Sequence, residues 1–155
     1  MYPSSLKATK RVYLDVCALC RPFDDQTQMR IRMETEAVQL ILSNARSGNL
    51  VLVVSPAHEL EIGAIGDPVE QEHLLSMLAE MGSRVTFDLP AVRRRAEEWA
   101  TRQVGSADAA HLAFAEAAQA HFVTCDDRLI RQCRRVQVTV WCGDPVAFCV
   151  EEDLR

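Results

Sequence analysis

Short apolar runs alternate with longer segments of mixed polarity along the whole chain. Most of the runs are bounded by charged or turn-forming residues, a pattern typical of strands buried in a parallel sheet. They predict five strands, at residues 11–14, 50–54, 84–87, 122–125 and 138–141.

The segments between the runs carry apolar residues three and four positions apart, which is the spacing of one helix face. Gly48 and Gly105 stand where helices end, and Ser106 is a favourable N-cap for the alanine-rich helix that follows it. Segment 17–26 is predicted to be a turn-rich loop, and the polar residues 1–10 to be loosely ordered. The predicted helices cover residues 28–47, 57–63, 68–81, 90–103, 106–120, 129–135 and 145–150.

The alternation of strands and helices predicts an α/β fold, with a mainly parallel sheet of about five strands covered on both faces. A length of 155 residues suits one domain, and the chain has no internal repeat, linker or low-complexity tract. We therefore expect a single domain over residues 1–155.

Composition narrows the class of protein. Hydrophobic residues make up 48% of the chain and charged residues 25%, which is ordinary for a globular protein. No apolar run approaches the roughly 20 residues that span a bilayer, and the N-terminus lacks an apolar signal core, so we expect a cytoplasmic protein without a membrane segment. The net charge of −5 does not indicate a nucleic-acid binder. A nucleic-acid substrate would need local arginines and bound metal to offset that charge.

Three carboxylates stand where the strands of such a sheet end. Asp15 follows the first strand, Asp126 follows the strand at 122–125, and Asp108 lies in the first turn of the alanine-rich helix. Open α/β sheets build their sites at this edge. A fourth acid should come from the helix after Ser55, where Glu59 and Glu61 compete because residues two apart do not share a helix face. Glu61 shares its stripe with small and apolar residues and is the preferred candidate.

Four ionised carboxylates in one pocket raise one another's pKa, so they need protons or divalent cations as compensation. Oxygen ligands favour Mg²⁺ or Mn²⁺. Such ions can hold a phosphodiester, activate a water and stabilise the leaving oxygen, so hydrolysis of a nucleic-acid backbone suits this arrangement. Each acid also has a structural interpretation, Asp108 as a favourable first-turn charge and Asp126 as a helix cap.

The chain resembles the PIN-domain nucleases, a family that includes the VapC-like toxin ribonucleases of bacterial type II toxin–antitoxin pairs. The resemblance spans about residues 11–148 and implies a three-layer α/β/α fold and Mg²⁺- or Mn²⁺-dependent cleavage of RNA, leaving a 5′-phosphate and a 3′-hydroxyl. It assigns the metal to Asp15, Glu61, Asp108 and Asp126, with Asp127 as an accessory acid. The matching segments are YLDVCALCRPFDD around Asp15, SPAHELEI at 55–62, DAAHLAFAEA from Asp108 and TCDDRL at 124–129.

One position departs from the family pattern. Toxin members commonly carry Asn two residues after the first Asp, and this chain has Cys17 there. The loss of that polar side chain motivates an alternative hypothesis, a non-catalytic PIN-fold module that binds RNA or protein. The pair Cys17 and Cys20 also allows a thiol redox protein or a zinc site, although packing cysteines are the preferred interpretation.

Further residues are candidates for supporting roles. Thr124 either orients Asp126 or packs in its strand, and His111 is either a ligand or proton shuttle or, preferably, a hydrogen-bonded core histidine. Arg21 is either a phosphate contact or part of a surface ion pair. The basic helix that carries Arg128 and Arg131 would contact RNA phosphates without reading sequence, or would simply be solvated. Site support is predicted from Ser106, Thr124 and His111; the predicted partners are RNA, an antitoxin and a second copy of the chain.

Overall fold

The computed structural model describes residues 9–155. Five strands and eight α-helices alternate along this part of the chain. The strands are β1 (Lys10–Leu14), β2 (Leu50–Val54), β3 (Gly82–Arg84), β4 (His121–Val123) and β5 (Cys142–Gly143). The helices are α1 (Val16–Leu19), α2 (Met29–Arg46), α3 (Pro56–Gly63), α4 (Pro68–Met81), α5 (Leu89–Thr101), α6 (Ser106–Ala117), α7 (Asp127–Arg135) and α8 (Pro145–Glu151).

The five strands form one parallel sheet in the order β3-β2-β1-β4-β5. The chain runs outward from β1 to β3 on one side, then returns to the other side of β1 with β4. The strand order therefore reverses between β1 and β4, and a crevice at the carboxyl ends of these two strands is the usual place for a site in such sheets. Asp15 and Asp126 lie just beyond those two ends.

Helices cover both faces of the sheet. Successive side chains of β1 point to opposite faces, and those of Val12, Tyr13 and Leu14 are all buried, so each face needs a helical layer. Val12 and Leu14 pack into a core with α2, α4 and α8, whereas Tyr13 packs with α5, α6 and α7 on the other face. The expected α/β fold, with a parallel sheet of five strands between two helical layers, is confirmed. No helix of residues 9–155 combines the length and the apolar character needed to cross a membrane.

Two strands differ from the sequence-based expectation. The last strand comprises Cys142–Gly143 and not residues 138–141, because Val138 and Val140 pack against the core as irregular chain and do not pair with β4. The third strand is Gly82–Arg84 and overlaps the predicted 84–87 only at Arg84. It follows α4 directly, which requires glycine at 82, since a Cβ atom there would lie 2.5 Å from the Leu78 carbonyl oxygen.

Three local predictions are also corrected. The segment after Asp15 is not only a loop, because it contains α1 and a 3₁₀ turn at Arg21–Phe23. Lys10 is not loosely ordered but begins β1; residues 1–8 of the same prediction lie outside the described residues. Gly105, and not Ser106, occupies the N-cap of α6, and no side chain caps this helix.

Candidate metal centre

The Asp15 carboxylate is held by two hydrogen bonds at the switch point, one from the start of α1 and one from the residue after β4. One oxygen, Oδ1, accepts from the backbone N–H of Val16 at 2.8 Å and thereby caps α1. The other oxygen, Oδ2, accepts from the Thr124 hydroxyl at 2.8 Å. The residue is only 5% exposed. The carboxylate is therefore fixed in place by the fold before any ligand binds.

Asp126 stands at the equivalent place after β4. Its Oδ1 accepts from the backbone N–H groups of Arg128 and Leu129, at 2.9 and 3.2 Å, and so caps α7. Both cap bonds use this one oxygen. The Thr124 hydroxyl also accepts from the Asp126 backbone N–H at 3.2 Å. Thr124 therefore donates to the Asp15 carboxylate and accepts from the Asp126 backbone. The predicted roles, orienting Asp126 or packing in the strand, did not include the bond to Asp15.

Asp108 faces these two acids from the first turn of α6. Burial raises the pKa of its carboxyl group, and the negative charges of Asp15 and Asp126 raise it further, with a smaller contribution from Glu61. The charge contributions indicate that Asp108 lies on the same side of the sheet as the other three carboxylates. The carboxylate also lies 3.5 Å from the place that a Cβ atom on Gly105 would occupy.

Glu61 completes the group from α3. One oxygen each of Asp15 and Glu61 and one ring nitrogen of His111 lie within 4.8 Å of one another, which is close enough to share a metal ion. Glu59 points elsewhere and forms an ion pair with Arg84. The structure thus places Glu61, and not Glu59, at the site. We call Asp15, Glu61, Asp108 and Asp126 the acid cluster.

His111 is buried beneath the acid cluster and makes two short hydrogen bonds. Its Nε2 lies 2.5 Å from Glu61 Oε2, and its Nδ1 lies 2.6 Å from the Tyr13 hydroxyl. The hydrogen bond from His111 lowers the pKa of Glu61. His111 is therefore a hydrogen-bonded core histidine that contacts the site, and its role as a ligand or proton shuttle stays a prediction.

Three residues near His111 were not among the predicted site residues. The Tyr13 hydroxyl lies 2.7 Å from the Ser55 hydroxyl, and the His58 ring stacks on the Tyr13 ring at a centroid distance of 4.3 Å. His58 accepts from the Ser55 backbone N–H through Nδ1, so its Nε2–H donates to the Leu14 carbonyl at 2.7 Å. A tyrosine hydroxyl in an apolar central strand was the one available signal, since a buried hydroxyl requires a partner.

Two of the predicted accessory residues are engaged in ion pairs. Asp127 accepts two hydrogen bonds of 2.8 Å from the Arg30 guanidinium, and the bond from Arg30 lowers its pKa. Arg21 donates to Asp24 at 2.8 Å and lies 3.7 Å from Glu34. Neither side chain joins the acid cluster in this arrangement. The ion-pair interpretation of Arg21 therefore describes the structure, and the phosphate contact stays a prediction.

The remaining predicted residues lie on exposed surface near the cluster. Ser106 is the first residue of α6 and is exposed. Arg128 and Arg131 are exposed on α7 and form no salt bridge within residues 9–155. Their role in RNA binding stays a prediction.

Cys17, two residues after Asp15, contacts the site carboxylate. Its Sγ lies 3.3 Å from both Asp15 Oδ2 and Thr124 Oγ1, so the thiol donates a weak hydrogen bond to the site carboxylate. It also accepts from the Cys125 backbone N–H at 3.4 Å. All six cysteines are free thiols, including Cys17 and Cys20.

Comparisons with known proteins agree with this architecture. Residues 12–135 match the family described as PIN domain. Among solved structures, the chain is similar to FitAcB from Neisseria gonorrhoeae, with 15% sequence identity and a TM-score of 0.52. The likeness covers 86% of this chain and 97% of that chain, and at this identity it concerns the fold alone. No curated protein matches the sequence significantly.

Proposed function

This chain belongs to the PIN domain family, and from that premise we propose that it is a metal-dependent endoribonuclease that hydrolyses RNA phosphodiester bonds with Mg²⁺ or Mn²⁺. PIN domains are typically metal-dependent nucleases. The observation that carries the proposal is the acid cluster at the switch point of the sheet. It is supported by the oxygens of Asp15 and Glu61, which lie within 4.8 Å of one another, and by Thr124, which bonds to Asp15 and to the backbone N–H of Asp126. Asp15 and Asp126 are 111 positions apart in the sequence.

The residues of the cluster fit a hard divalent cation. They supply carboxylate oxygens, which Mg²⁺ and Mn²⁺ prefer, with one imidazole nitrogen close by. Burial raises the pKa of Asp108, and the negative charges of Asp15 and Asp126 raise it further, which supports the proposal that these acids repel one another without a cation. A bound cation would remove this repulsion, so the electrostatics favour metal binding.

Each part of the chain then has a defined task. Asp15, Glu61, Asp108 and Asp126 would hold the cation, while Thr124 keeps Asp15 and the start of α7 in register. The cation would supply the charge that activates a water and stabilises the leaving oxygen. Arg128 and Arg131 would contact the RNA backbone, where they would add affinity by counterion release but no sequence preference.

The variant Asp126→Asn tests the proposal. The amide oxygen of Asn can still accept the two cap bonds of α7, so the fold should persist while a charged ligand is lost. We expect purified protein to cleave RNA with Mn²⁺ or Mg²⁺ and the variant to lose at least about 100-fold in rate, because the cation that would stabilise the developing charge loses a charged ligand.

The matched control is Asp67→Asn. Asp67 caps α4 through the same pattern, with Oδ1 accepting from Val69 and Glu70, and it is not part of the acid cluster. This control should keep full activity. Cleavage that survives in chelator, or that is equal in wild type and Asp126→Asn, would assign the activity to a contaminating nuclease and contradict the proposal.

A non-catalytic module on the same fold is the second candidate, and Cys17 in place of Asn is the observation that favours it. Calorimetry separates the two, because a module predicts no Mn²⁺ binding at millimolar concentration. An antitoxin partner, a homodimer and a cytoplasmic location stay predictions. A small antitoxin-like reading frame immediately upstream of the gene would favour a toxin.

A further inference from the structure

A buried chain of hydrogen bonds runs from the Ser55 hydroxyl to the acid cluster. It passes from Ser55 to the Tyr13 hydroxyl over 2.7 Å, from Tyr13 to His111 Nδ1 over 2.6 Å, and from His111 Nε2 to Glu61 over 2.5 Å. Ser55, Tyr13 and His111 are each at most 2% exposed. Glu61 is the only member that reaches solvent, with a side chain 44% exposed.

An ionised Glu61 and a neutral His111 ring together give this chain one direction. The carboxylate can only accept, so His111 Nε2 carries a proton and donates it. When the ring is neutral, Nδ1 is an acceptor and receives the single Tyr13 hydroxyl proton. Tyr13 can in turn accept from the Ser55 hydroxyl. Every polar hydrogen of the chain therefore points toward Glu61.

Glu61 differs from two other members of the acid cluster in how it is held. Backbone N–H groups fix Asp15 and Asp126, because each caps a helix that begins at the next residue. Glu61 lies inside α3 with no such cap bond, and its long side chain has more rotamer freedom to lose. Its hydrogen bond within residues 9–155 comes from His111.

We propose that His111 and Tyr13, with Ser55 behind them, are positioning residues that hold the Glu61 carboxylate in place for the metal ion. The inference rests on the proposed metal site. In other metal proteins, residues that hydrogen-bond to a metal ligand orient that ligand. Their loss weakens metal affinity by roughly 10–100-fold. The same bonds also hold α3 to α6 across the site.

The test uses Tyr13→Phe, which keeps the ring stacked on His58 and removes only the hydroxyl. We expect the dissociation constant for Mn²⁺, measured by calorimetry on the full chain, to rise about tenfold. In His111→Gln the side-chain amide can still donate to Glu61 without the help of Tyr13. This variant should keep Mn²⁺ affinity within about threefold, and adding Tyr13→Phe to it should cost little more, because the tyrosine acts only through the imidazole.

A metal-free readout keeps the inference separate from the metal site. The ¹⁵N chemical shifts of His111 should show the Nε2-protonated tautomer in the wild-type protein, and Glu61→Gln should change the Nε2 signal. If the wild type binds no Mn²⁺, the proposed function fails while these shifts still test the hydrogen bonds. If it does bind, and Tyr13→Phe binds equally well, the positioning role is overturned; an Nδ1-protonated tautomer overturns it independently.

Ile41→Val is the control for general loss of stability, since Ile41 is fully buried in the core on the other side of the sheet. Its Mn²⁺ affinity should match the wild type. Should Tyr13→Phe fail to fold, Ser55→Ala removes the outer donor, together with the bond that this side chain accepts from the His58 backbone at the start of α3, and should weaken Mn²⁺ binding about threefold. Unchanged binding by a folded Ser55→Ala, together with an Nδ1-protonated His111, would also overturn the proposal.

Discussion

At the scale of single residues, His58 shows how burial fixes a protonation state. Both ring nitrogens are engaged with backbone groups, one as acceptor from Ser55 and one as donor to Leu14. Burial, together with a smaller effect of the neighbouring His111, lowers the pKa of His58 to about 4. The ring is therefore neutral in the folded protein at physiological pH.

This state predicts a loss of stability in mild acid. The unfolded chain binds a proton at His58 below about pH 6.5 and the folded protein only near pH 4, so stability falls as the pH decreases through that window. At pH 4 the free energy of unfolding should have lost about 3 kcal/mol from this residue. Urea titrations of wild type and His58→Gln at pH 7, 5.5 and 4 should show the difference between them shrink by about that amount. A constant difference would contradict the assignment.

The residues of the site were predictable to the extent that they stand at element ends. Asp15 and Asp126 follow apolar runs, so the sequence places both at one edge of the sheet. Glu61 followed from helical periodicity. Tyr13 and His58 could not be found in this way, because their roles depend on side-chain contacts between elements about 40 residues or more apart in the chain.

At the scale of elements, five helices end in the same way. After each of them one residue adopts a positive φ, and two hydrogen bonds return to the last turn, which is the Schellman motif. Only α2 uses glycine there, at Gly48. The other four use residues with side chains: Gln103 after α5, Gln119 after α6, Gln137 after α7 and Asp153 after α8.

The unusual residue type explains why sequence reasoning overran two helix ends. The predicted helices continued to residues 103 and 120, whereas α5 ends at Thr101 and α6 at Ala117. The usual signal for such an end is glycine, which Gln103 and Gln119 do not provide. In both cases the next residue, Val104 or Ala120, is apolar and packs into the core. The sequence signal for these helix ends is therefore a glutamine followed by a buried apolar residue, and not a single glycine.

Replacing Gln119 by glycine should stabilise the protein. A side chain at a φ of 53° is strained, and glycine removes that strain, although it makes the unfolded chain more flexible. We expect the free energy of unfolding to rise by about 0.5–1 kcal/mol. Gln39→Gly, inside α2, is the control and should lower it by about 1 kcal/mol. Equal losses in the two variants would contradict the role of backbone geometry at residue 119.

At the scale of the whole molecule, metal binding and folding should be linked. The acid cluster gathers carboxylates from different elements, and the unfolded chain does not bring them together, so a cation that binds the folded protein stabilises it. Mn²⁺ at about 100 times its dissociation constant should add about 2.7 kcal/mol and raise the Tm by about 5–10 °C for a domain of this size.

The variant Asp108→Asn provides the control for this linkage. It removes one of the charges that meet in the cluster, so Mn²⁺ should produce little or no rise in its Tm. Thermal denaturation with and without chelator measures both proteins. An equal rise in wild type and Asp108→Asn would place the stabilising cation elsewhere.

The overall architecture was the most predictable level. Alternating apolar runs and amphipathic segments fix the parallel sheet, and the short crossovers leave few topologies. The edge strands were the weak points. Val138 and Val140 pack against the core as strand residues would, but burial and ladder pairing are separate properties. The first hydrogen bond to β4 is accepted by the Trp141 carbonyl, and Cys142 is the first paired residue.

Asp126 accepts both cap bonds of α7 through Oδ1, so its second carboxylate oxygen is not used by the helix. Asparagine would satisfy α7 equally well, so folding alone exerts no preference for a charged side chain at this position. Under the proposed function, a descendant without cleavage activity could carry asparagine here and still accumulate as an intact protein. On that proposal, the residue at 126 is the marker by which cleaving and non-cleaving descendants of this chain can be told apart.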